Sequence, residues 1–161
     1  MQVLAFGEIS VYEPHGRYQL IVREMQESGE GRLFAEFERL KRKLAEEGLF
    51  DAGRKKPLPI LPLRVAIVTS PTGAALQDFV RILKRRSWGG RLHVFPVRVQ
   101  GAGAAREIEE AIRYVDQLGS YDLLVIARGG GSIEDLWCFN EERVARAVSD
   151  CSVPVISGVG H

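Results

Sequence analysis

Apolar runs alternate with amphipathic stretches along most of the chain, from residue 63 onward. The apolar runs that predict strands are 64–69, 92–97, 123–127 and 153–157. The stretches whose apolar residues recur every three or four positions, and so predict helices, are 74–86, 104–118 and 141–148. Strands and helices that alternate with short connections favour a parallel sheet with right-handed crossovers. We therefore predict an α/β domain with a parallel sheet of about four strands and helices on both faces.

The start of the chain has a different pattern. Apolar and polar residues partly alternate at 2–12 and again at 17–24, on either side of the turn-forming segment 13–16. This arrangement predicts a β-hairpin. A two-stranded hairpin is marginally stable alone, so it is expected to lean on other structure.

A helix and a proline-rich connector separate the hairpin from the α/β domain. Apolar residues at the spacing of one helical face predict a helix at 32–47; they are Leu33, Phe37, Leu40 and Leu44. Three prolines between positions 57 and 62 then exclude regular helix. We accordingly divide the chain into a hairpin at 1–30, a helix and connector at 31–62, and the α/β domain at 63–161.

The predicted strand at 123–127 ends in a segment that carries candidate chemistry. Arg128 comes first, followed by Gly129, Gly130 and Gly131, and then by Ser132. Glycines allow backbone N–H groups to approach an anion closely, and the planar guanidinium suits phosphate oxygens. The segment therefore indicates an anion site on the sheet. A strand–loop–helix turn in which the glycines only relieve strain explains it equally well.

Polar residues also follow the first and last predicted strands. Ser70, Thr72 and Gly73 lead into a helix that carries Asp78, and His161 follows the last strand. Ligands bind beyond the carboxyl ends of parallel strands, so we expect all these groups at one edge of the sheet. N–H donors and an arginine can neutralise a pentacovalent phosphate, and a histidine with an aspartate can move protons. This set suits phosphodiester hydrolysis.

Each of these residues also has a purely structural explanation. Ser70, Thr72 and Ser132 can cap helices or form turns, and Asp78 can complement a helix dipole. His161 can be a terminal residue without a function. The Walker pattern and the Gly-x-Gly-x-x-Gly fingerprint are both absent, which disfavours a P-loop or dinucleotide-binding fold.

Composition narrows the class of protein without deciding it. Hydrophobic residues make up 45% of the chain and charged residues 27%, and the net charge is +1, which does not single out a nucleic-acid binder. Cys138 and Cys151 are too few and too far apart for a zinc site. No apolar run approaches the ~20 residues of a membrane span. We expect reduced cysteines, a cytoplasmic location and no membrane association.

Three segments carry a family signature: 68–75 (VTSPTGAA), 128–137 (RGGGSIEDLW) and 158–161 (GVGH). Together with the hairpin they resemble the exonuclease VII large subunit over essentially the whole chain. The resemblance implies an OB-fold, of which the hairpin is a remnant, followed by a catalytic domain. It also implies a C-terminal helical region, absent here, that binds the small subunit.

The same resemblance implies an exodeoxyribonuclease that hydrolyses single-stranded DNA from either end to 5′-phosphorylated oligonucleotides. Its functional residues carry over to Asp78, Arg128 and His161. A further family aspartate lies beyond His161, so we expect this chain alone to be inactive or nearly so. Mg²⁺ is the cation to consider, although the family does not uniformly require it, and the sequence assigns no metal ligands.

Two other functions fit the sequence. A non-catalytic single-stranded-DNA-binding module would stack bases on Tyr12 and Tyr18. A nucleotide- or sugar-phosphate-binding α/β enzyme would use the glycine segment alone. Binding without product formation would identify the first, and stabilisation by mononucleotides but not by oligonucleotides would identify the second.

Overall fold

The computed structural model of the chain describes residues 3–12, 16–27 and 29–160. Contacts divide the chain into two compact units, 1–41 and 42–161. Most of the predicted turn at 13–16 and the predicted site residue His161 lie outside the described residues.

The first unit contains the predicted hairpin. Strands β1 (Val3–Tyr12) and β2 (Arg17–Glu27) pair antiparallel as a two-stranded sheet. The register shifts between Phe6 and Gly7, where a Cβ on Gly7 would overlap the main chain of Ile21. Glycine at this bulge thus permits a close approach of the two backbones.

The predicted first helix is confirmed as α1 (Gly29–Glu46), which begins within one turn of the expected position. In the second unit its last turn includes Leu44, which is buried, and Lys43, whose Nζ lies 2.8 Å from a carboxylate oxygen of Glu142. A short 3₁₀ helix (Ala52–Arg54) follows, and residues 55–63 then contain neither helix nor strand. This stretch coincides with the three prolines.

The second unit holds the predicted parallel sheet. Its strands are β3 (Arg64–Thr69), β4 (Arg91–Pro96), β5 (Leu123–Arg128) and β6 (Val155–Val159). Their spatial order is β4-β3-β5-β6, and every neighbouring pair is parallel. The helices are α2 (Ala74–Arg85), α3 (Ala104–Leu118), α4 (Ile133–Leu136) and α5 (Glu142–Asp150). None of the helices formed by described residues has the length and apolar character needed to cross a membrane.

The last strand differs from its predicted position at 153–157. Gly158 indicates a loop in the sequence, yet it continues β6 and pairs with Ala127. Pro154 lacks an N–H group and precedes the strand. The segment 158–161 is therefore strand at its beginning, and the turn starts only after Val159.

Helices cover both faces of the sheet, as predicted. On one face α3 and α5 enclose a core that includes Ala66, Leu124 and Ile126. On the other face, Leu76 of α2 belongs to a second core with the alternate strand residues, among them Ile67. Side chains on successive strand residues point to opposite faces, so a strand buried on both sides reads as an unbroken apolar run.

The strand order creates a switch point between β3 and β5. From β3 the chain crosses to β4 on one side, and after β5 it continues to β6 on the other. Register pairing between β3 and β5 ends at Val68 and Ile126. Beyond it the buried Thr69 donates a hydrogen bond from Oγ1 to the Ala127 carbonyl at 2.6 Å. Such a switch point is where open α/β sheets bind their ligands.

Candidate functional site

A crevice of about 540 Å³ opens at the carboxyl ends of β3 and β5. Three loops line it, and they follow β3, β4 and β5. The lining residues are Thr69, Ser70, Gly73, Ala74, Ala75, Arg98, Val99, Gln100, Arg128, Gly129 and Gly130. The structure thus brings five of the predicted site residues together here: Ser70, Gly73, Arg128, Gly129 and Gly130.

The beginning of α2 supplies hydrogen-bond donors to the crevice. Gly73 is the N-cap, and no side chain caps the helix. The preceding turn is closed by a hydrogen bond from the Gly73 N–H to the Ser70 carbonyl at 3.2 Å. The first N–H groups of a helix have no partner within it and carry the positive end of the helix dipole. Ala74 and Ala75 line the crevice, so this end of α2 favours a bound anion.

Arg128, whose guanidinium is predicted to suit phosphate oxygens, is largely buried and bonded to the chain itself. Its side chain is only 9% exposed. Nη1 donates to the carbonyls of Gly129, at 3.0 Å, and Gly130, while Nη2 donates to Oε1 of Gln100 at 2.8 Å. Nη2 also lies 3.8 Å from a carboxylate oxygen of Asp135. The guanidinium is therefore folded under the glycine loop.

Ser132 caps a helix, which is one of the structural roles that the sequence allows for it. Its hydroxyl accepts a hydrogen bond from the Asp135 N–H at 3.2 Å, and the Asp135 carboxylate accepts one from the Ser132 N–H at 3.4 Å. This reciprocal capping box begins α4. Asp135 thereby connects the cap of α4 to the guanidinium of Arg128.

The loop after β4 contributes Arg98 and Gln100, which are not among the residues predicted for the site. The backbone N–H of Arg98 donates to Glu107 at 2.7 Å, and its guanidinium lies 2.6 Å from the same carboxylate. Hydrogen bonds from Arg98 lower the pKa of Glu107. The Arg98 side chain is 63% exposed at the crevice. Polar residues directly after a strand, followed by Gly101 and Gly103, were the signal that could have identified this loop.

Four described residues that the sequence predicted for the site, Asp78, Thr72, Gly131 and Ser132, are not among those that line the crevice. Asp78 is on α2, 60% exposed, and its carboxylate accepts a hydrogen bond from Arg81 at 2.7 Å. Thr72 lies in the turn before α2, with its hydroxyl oxygen 3.5 Å from that of Ser70. Gly131 borders a separate cavity of about 520 Å³. The described part of the turn after β6 is Gly160, and its N–H donates to the Arg128 carbonyl at 3.1 Å.

The described residues form no group of side chains that fits Mg²⁺. Among residues 3–12, 16–27 and 29–160, no three His, Cys, Asp or Glu side chains are grouped as metal ligands would be. Two carboxylates contact crevice residues, those of Glu107 and Asp135, and both already accept hydrogen bonds from the chain.

Comparison with known proteins identifies the family. The family model described as "Exonuclease VII, large subunit" matches residues 49–161. The chain belongs to the exonuclease VII large-subunit family. Over 161 residues it is 55% identical to the exodeoxyribonuclease 7 large subunit of Thioalkalivibrio sulfidiphilus, 54% to that of Shouchella clausii and 48% to that of Clostridium botulinum. These matches cover 100% of this chain and 36%, 35% and 40% of the relatives, so the chain spans little more than a third of their length.

The match to the exonuclease VII large subunit includes the whole crevice. All the lining residues lie between Thr69 and Gly130, within the matched segment 49–161. The β1–β2 hairpin precedes that segment but lies within the part aligned to the relatives. The predicted resemblance is thus confirmed for the chain, whereas the roles of Asp78, Arg128 and His161 remain predictions.

Proposed function

We propose that this chain provides the phosphodiester-binding core of a single-stranded-DNA exonuclease. In this proposal the complete enzyme acts from either end of the strand and releases 5′-phosphorylated oligonucleotides. The observation that carries the proposal is the switch-point crevice, which lies inside the family-matched segment and gathers N–H donors with an exposed arginine. A backbone phosphate is the part of DNA that such a site can bind without reading sequence.

The donors of the crevice suit the charge that develops during phosphodiester hydrolysis. The start of α2 and the glycine loop offer N–H groups, and Arg98 offers a positively charged guanidinium. Donors fixed in advance stabilise a pentacovalent phosphate without reorganising during the step. The crevice would therefore hold the scissile phosphate while other groups move protons.

Asp78 and His161 are the residues to which we assign proton transfer or the orientation of water. Asp78 is exposed and paired with Arg81 on the surface of α2. An exposed ion pair of this kind contributes little to stability, so it presents a small obstacle to recruiting Asp78 toward a substrate. The described residues indicate no site for Mg²⁺, so the activity is measured with and without a chelator.

The proposal also assigns domains and partners. The hairpin at 1–30 would be the remnant of an OB-fold, 31–62 a connector and 63–161 the catalytic domain. Apolar side chains on the two-stranded sheet support the first assignment, since Ile9 is 78% and Tyr18 82% exposed and further strands would cover them. Single-stranded DNA is the proposed substrate, and the small subunit of exonuclease VII is the proposed protein partner.

A chimera tests the proposed activity. In it this chain replaces the aligned residues of the Thioalkalivibrio sulfidiphilus protein, and labelled single-stranded DNA is the substrate, with and without a chelator. We expect degradation by the chimera and a roughly 10²–10³-fold loss on Arg128→Ala, the usual scale for losing one group that helps to stabilise the charge of the transition state. Gly89→Ala is the control for folding, because a Cβ at Gly89, between α2 and β4, would meet nothing within 4 Å.

The other candidate functions give different outcomes. Binding of an oligothymidylate by the isolated chain, with no product from a folded chimera, would indicate a DNA-binding module. Thermal stabilisation by mononucleotides, without oligonucleotide binding, would indicate a nucleotide-binding enzyme. Either result would refute the nuclease proposal.

A further inference from the structure

The glycine loop after β5 has N–H groups that no other described group satisfies. Gly129, Gly130 and Gly131 are exposed, and none of their N–H groups donates a hydrogen bond to another described residue. The carbonyls of Gly129 and Gly130, in contrast, both accept from the Arg128 guanidinium. The loop is thus polarised: the carbonyls of Gly129 and Gly130 are occupied, whereas its N–H groups have no partner among the described residues.

The direction of those donors follows from peptide geometry. The described peptide bonds are all trans, so each N–H points opposite to the carbonyl of the same peptide unit. The carbonyl of Gly129 shares its unit with the N–H of Gly130, and that of Gly130 with the N–H of Gly131. Since both carbonyls face the guanidinium, both N–H groups face away from it. Successive N–H groups that point outward in this way can bind an anion.

We propose that Arg128 is a positioning residue, which orients the glycine loop so that the N–H groups of Gly130 and Gly131 bind a DNA phosphate. Gln100 is its partner, because its Oε1 accepts from Nη2 at 2.8 Å and keeps the guanidinium beneath the loop. The inference builds on the proposed function and refines it: the phosphate contacts backbone N–H groups at the border of the crevice, which Gly130 lines and Gly131 does not, and Arg128 acts through them.

Gly131 is the third component of this arrangement. A Cβ at Gly131 would overlap the guanidinium, with Nη2 at 2.8 Å and Cζ at 2.9 Å. A Cβ at Gly129 would meet nothing within 4 Å. Neither glycine has a φ in the left-handed region, so the requirement at Gly131 is one of space. Glycine at 131 lets the guanidinium lie directly against the main chain.

This pair of glycines provides a matched test of the guanidinium position in the free chain. Nuclear magnetic resonance can measure the solvent exchange of the Arg128 side-chain N–H protons. We expect slow exchange in the wild type and in Gly129→Ala, and fast exchange in Gly131→Ala, whose methyl group displaces the guanidinium. Fast exchange in the wild type, or equal exchange in the two alanine variants, would overturn the inference.

The salt dependence of oligothymidylate binding then separates positioning from direct contact. An arginine that neutralises one phosphate of a single strand contributes about 0.7 to the slope of log affinity against log salt. We expect Arg128→Ala, Gly131→Ala and Gln100→Met each to weaken binding at least severalfold with an unchanged slope. Arg98→Gln, which removes an exposed arginine of the crevice, is expected to reduce the slope.

The outcomes distinguish this inference from the proposed function. A slope for Arg128→Ala that falls as far as that for Arg98→Gln would show a direct phosphate contact and refute the positioning role. Thermal unfolding identifies a variant that fails to fold, and Gly131→Ala and Gln100→Met, which retain the arginine, then decide the question. If the wild type shows no salt-dependent oligonucleotide binding, the proposed function fails, and so does the phosphate part of the inference. The exchange measurement still decides whether Arg128 lies beneath the loop.

Discussion

The two edges of the parallel sheet use the same chemical groups in opposite ways. At the amino edge the chain satisfies its own donors: Asp122 accepts from the N–H groups of Leu63 and Arg64, both at 2.8 Å, and Asp116 accepts from that of Ser152 at 2.7 Å. At the carboxyl edge no side chain caps the start of α2, and the N–H groups of the glycine loop donate to none of the described residues. At the amino edge, backbone donors are therefore paired with carboxylates of the chain. At the carboxyl edge, the donors can bind an external anion.

The pKa values of Asp122 and Asp116 reflect the hydrogen bonds at the amino edge. Two backbone N–H groups lower the pKa of Asp122, and hydrogen bonds from Ser152 lower that of Asp116. At the amino edge the negative charge is thus part of the fold. At the carboxyl edge the crevice offers an equivalent environment to a charge that the substrate would bring.

Thr69 should be the carboxyl-edge residue whose loss costs the most stability. Thr69→Val removes the buried hydroxyl that donates to the Ala127 carbonyl and leaves that acceptor without it. Removing a buried hydrogen-bond partner typically costs about 1–3 kcal/mol. Urea unfolding measures the effect, and Thr72→Val, at an exposed position, is the control. Equal stabilities for the two variants would show that the hydroxyl does not hold the strand ends together.

At the amino edge, Asp122→Ala should lower the melting temperature by removing the acceptor for two backbone N–H groups. Asp122→Asn retains an acceptor oxygen and should recover part of the loss. Asp150→Ala removes an exposed carboxylate paired with Arg54 at 3.6 Å and provides the control. A melting temperature for Asp122→Ala that matches the control would mean that the amino edge is not fixed by its carboxylates.

Acid should weaken the amino edge. The folded-state pKa values of Asp116 and Asp122 lie below their ordinary value, which is about 3.9 in unfolded chains. The stability they contribute is therefore complete above that value and is lost as the pH falls through the folded-state pKa. Urea midpoints measured against pH should fall in this acid range, and less steeply in Asp122→Asn. Parallel curves for the wild type and Asp122→Asn would contradict this assignment.

Ser70→Ala should have the smallest effect on stability, within about 0.5 kcal/mol, as is usual for surface substitutions. Ser70 lines the crevice, and its hydroxyl oxygen lies 3.5 Å from that of Thr72, which is at most a weak hydrogen bond. Oligothymidylate affinity should nevertheless fall severalfold if the hydroxyl contacts a phosphate. Titrations on the wild type and the variant at one salt concentration measure this, and equal affinities would remove Ser70 from the proposed site.

The elements of the second unit could be predicted because local and tertiary preferences agree there. Helix α3 occupies 104–118 as expected: its buried residues Ile108, Ile112 and Val115 share one face, and the flanking glycines Gly103 and Gly119 both have positive φ. The position of β6 could not be predicted, since Gly158 pairs within an edge strand although glycine ordinarily indicates a loop.

The candidate site could be predicted as a location but not as an arrangement. Parallel topology was enough to bring Ser70 and Arg128 to one edge. The direction of the guanidinium depends on two glycine carbonyls and on Gln100, which lies 28 residues away in sequence. Gln100 and Arg98 belong to no motif with a known mechanism, so their place after a strand can indicate the loop but not the contacts that they make.

The hydrogen bond between Thr69 and Ala127 has a mechanical consequence for the crevice. It joins the two central strands just beyond their last register pair. The bond therefore fixes the distance between the ends of the two strands from which the glycine loop and the turn before α2 continue. Donors on both segments can then keep their spacing from one phosphate to the next.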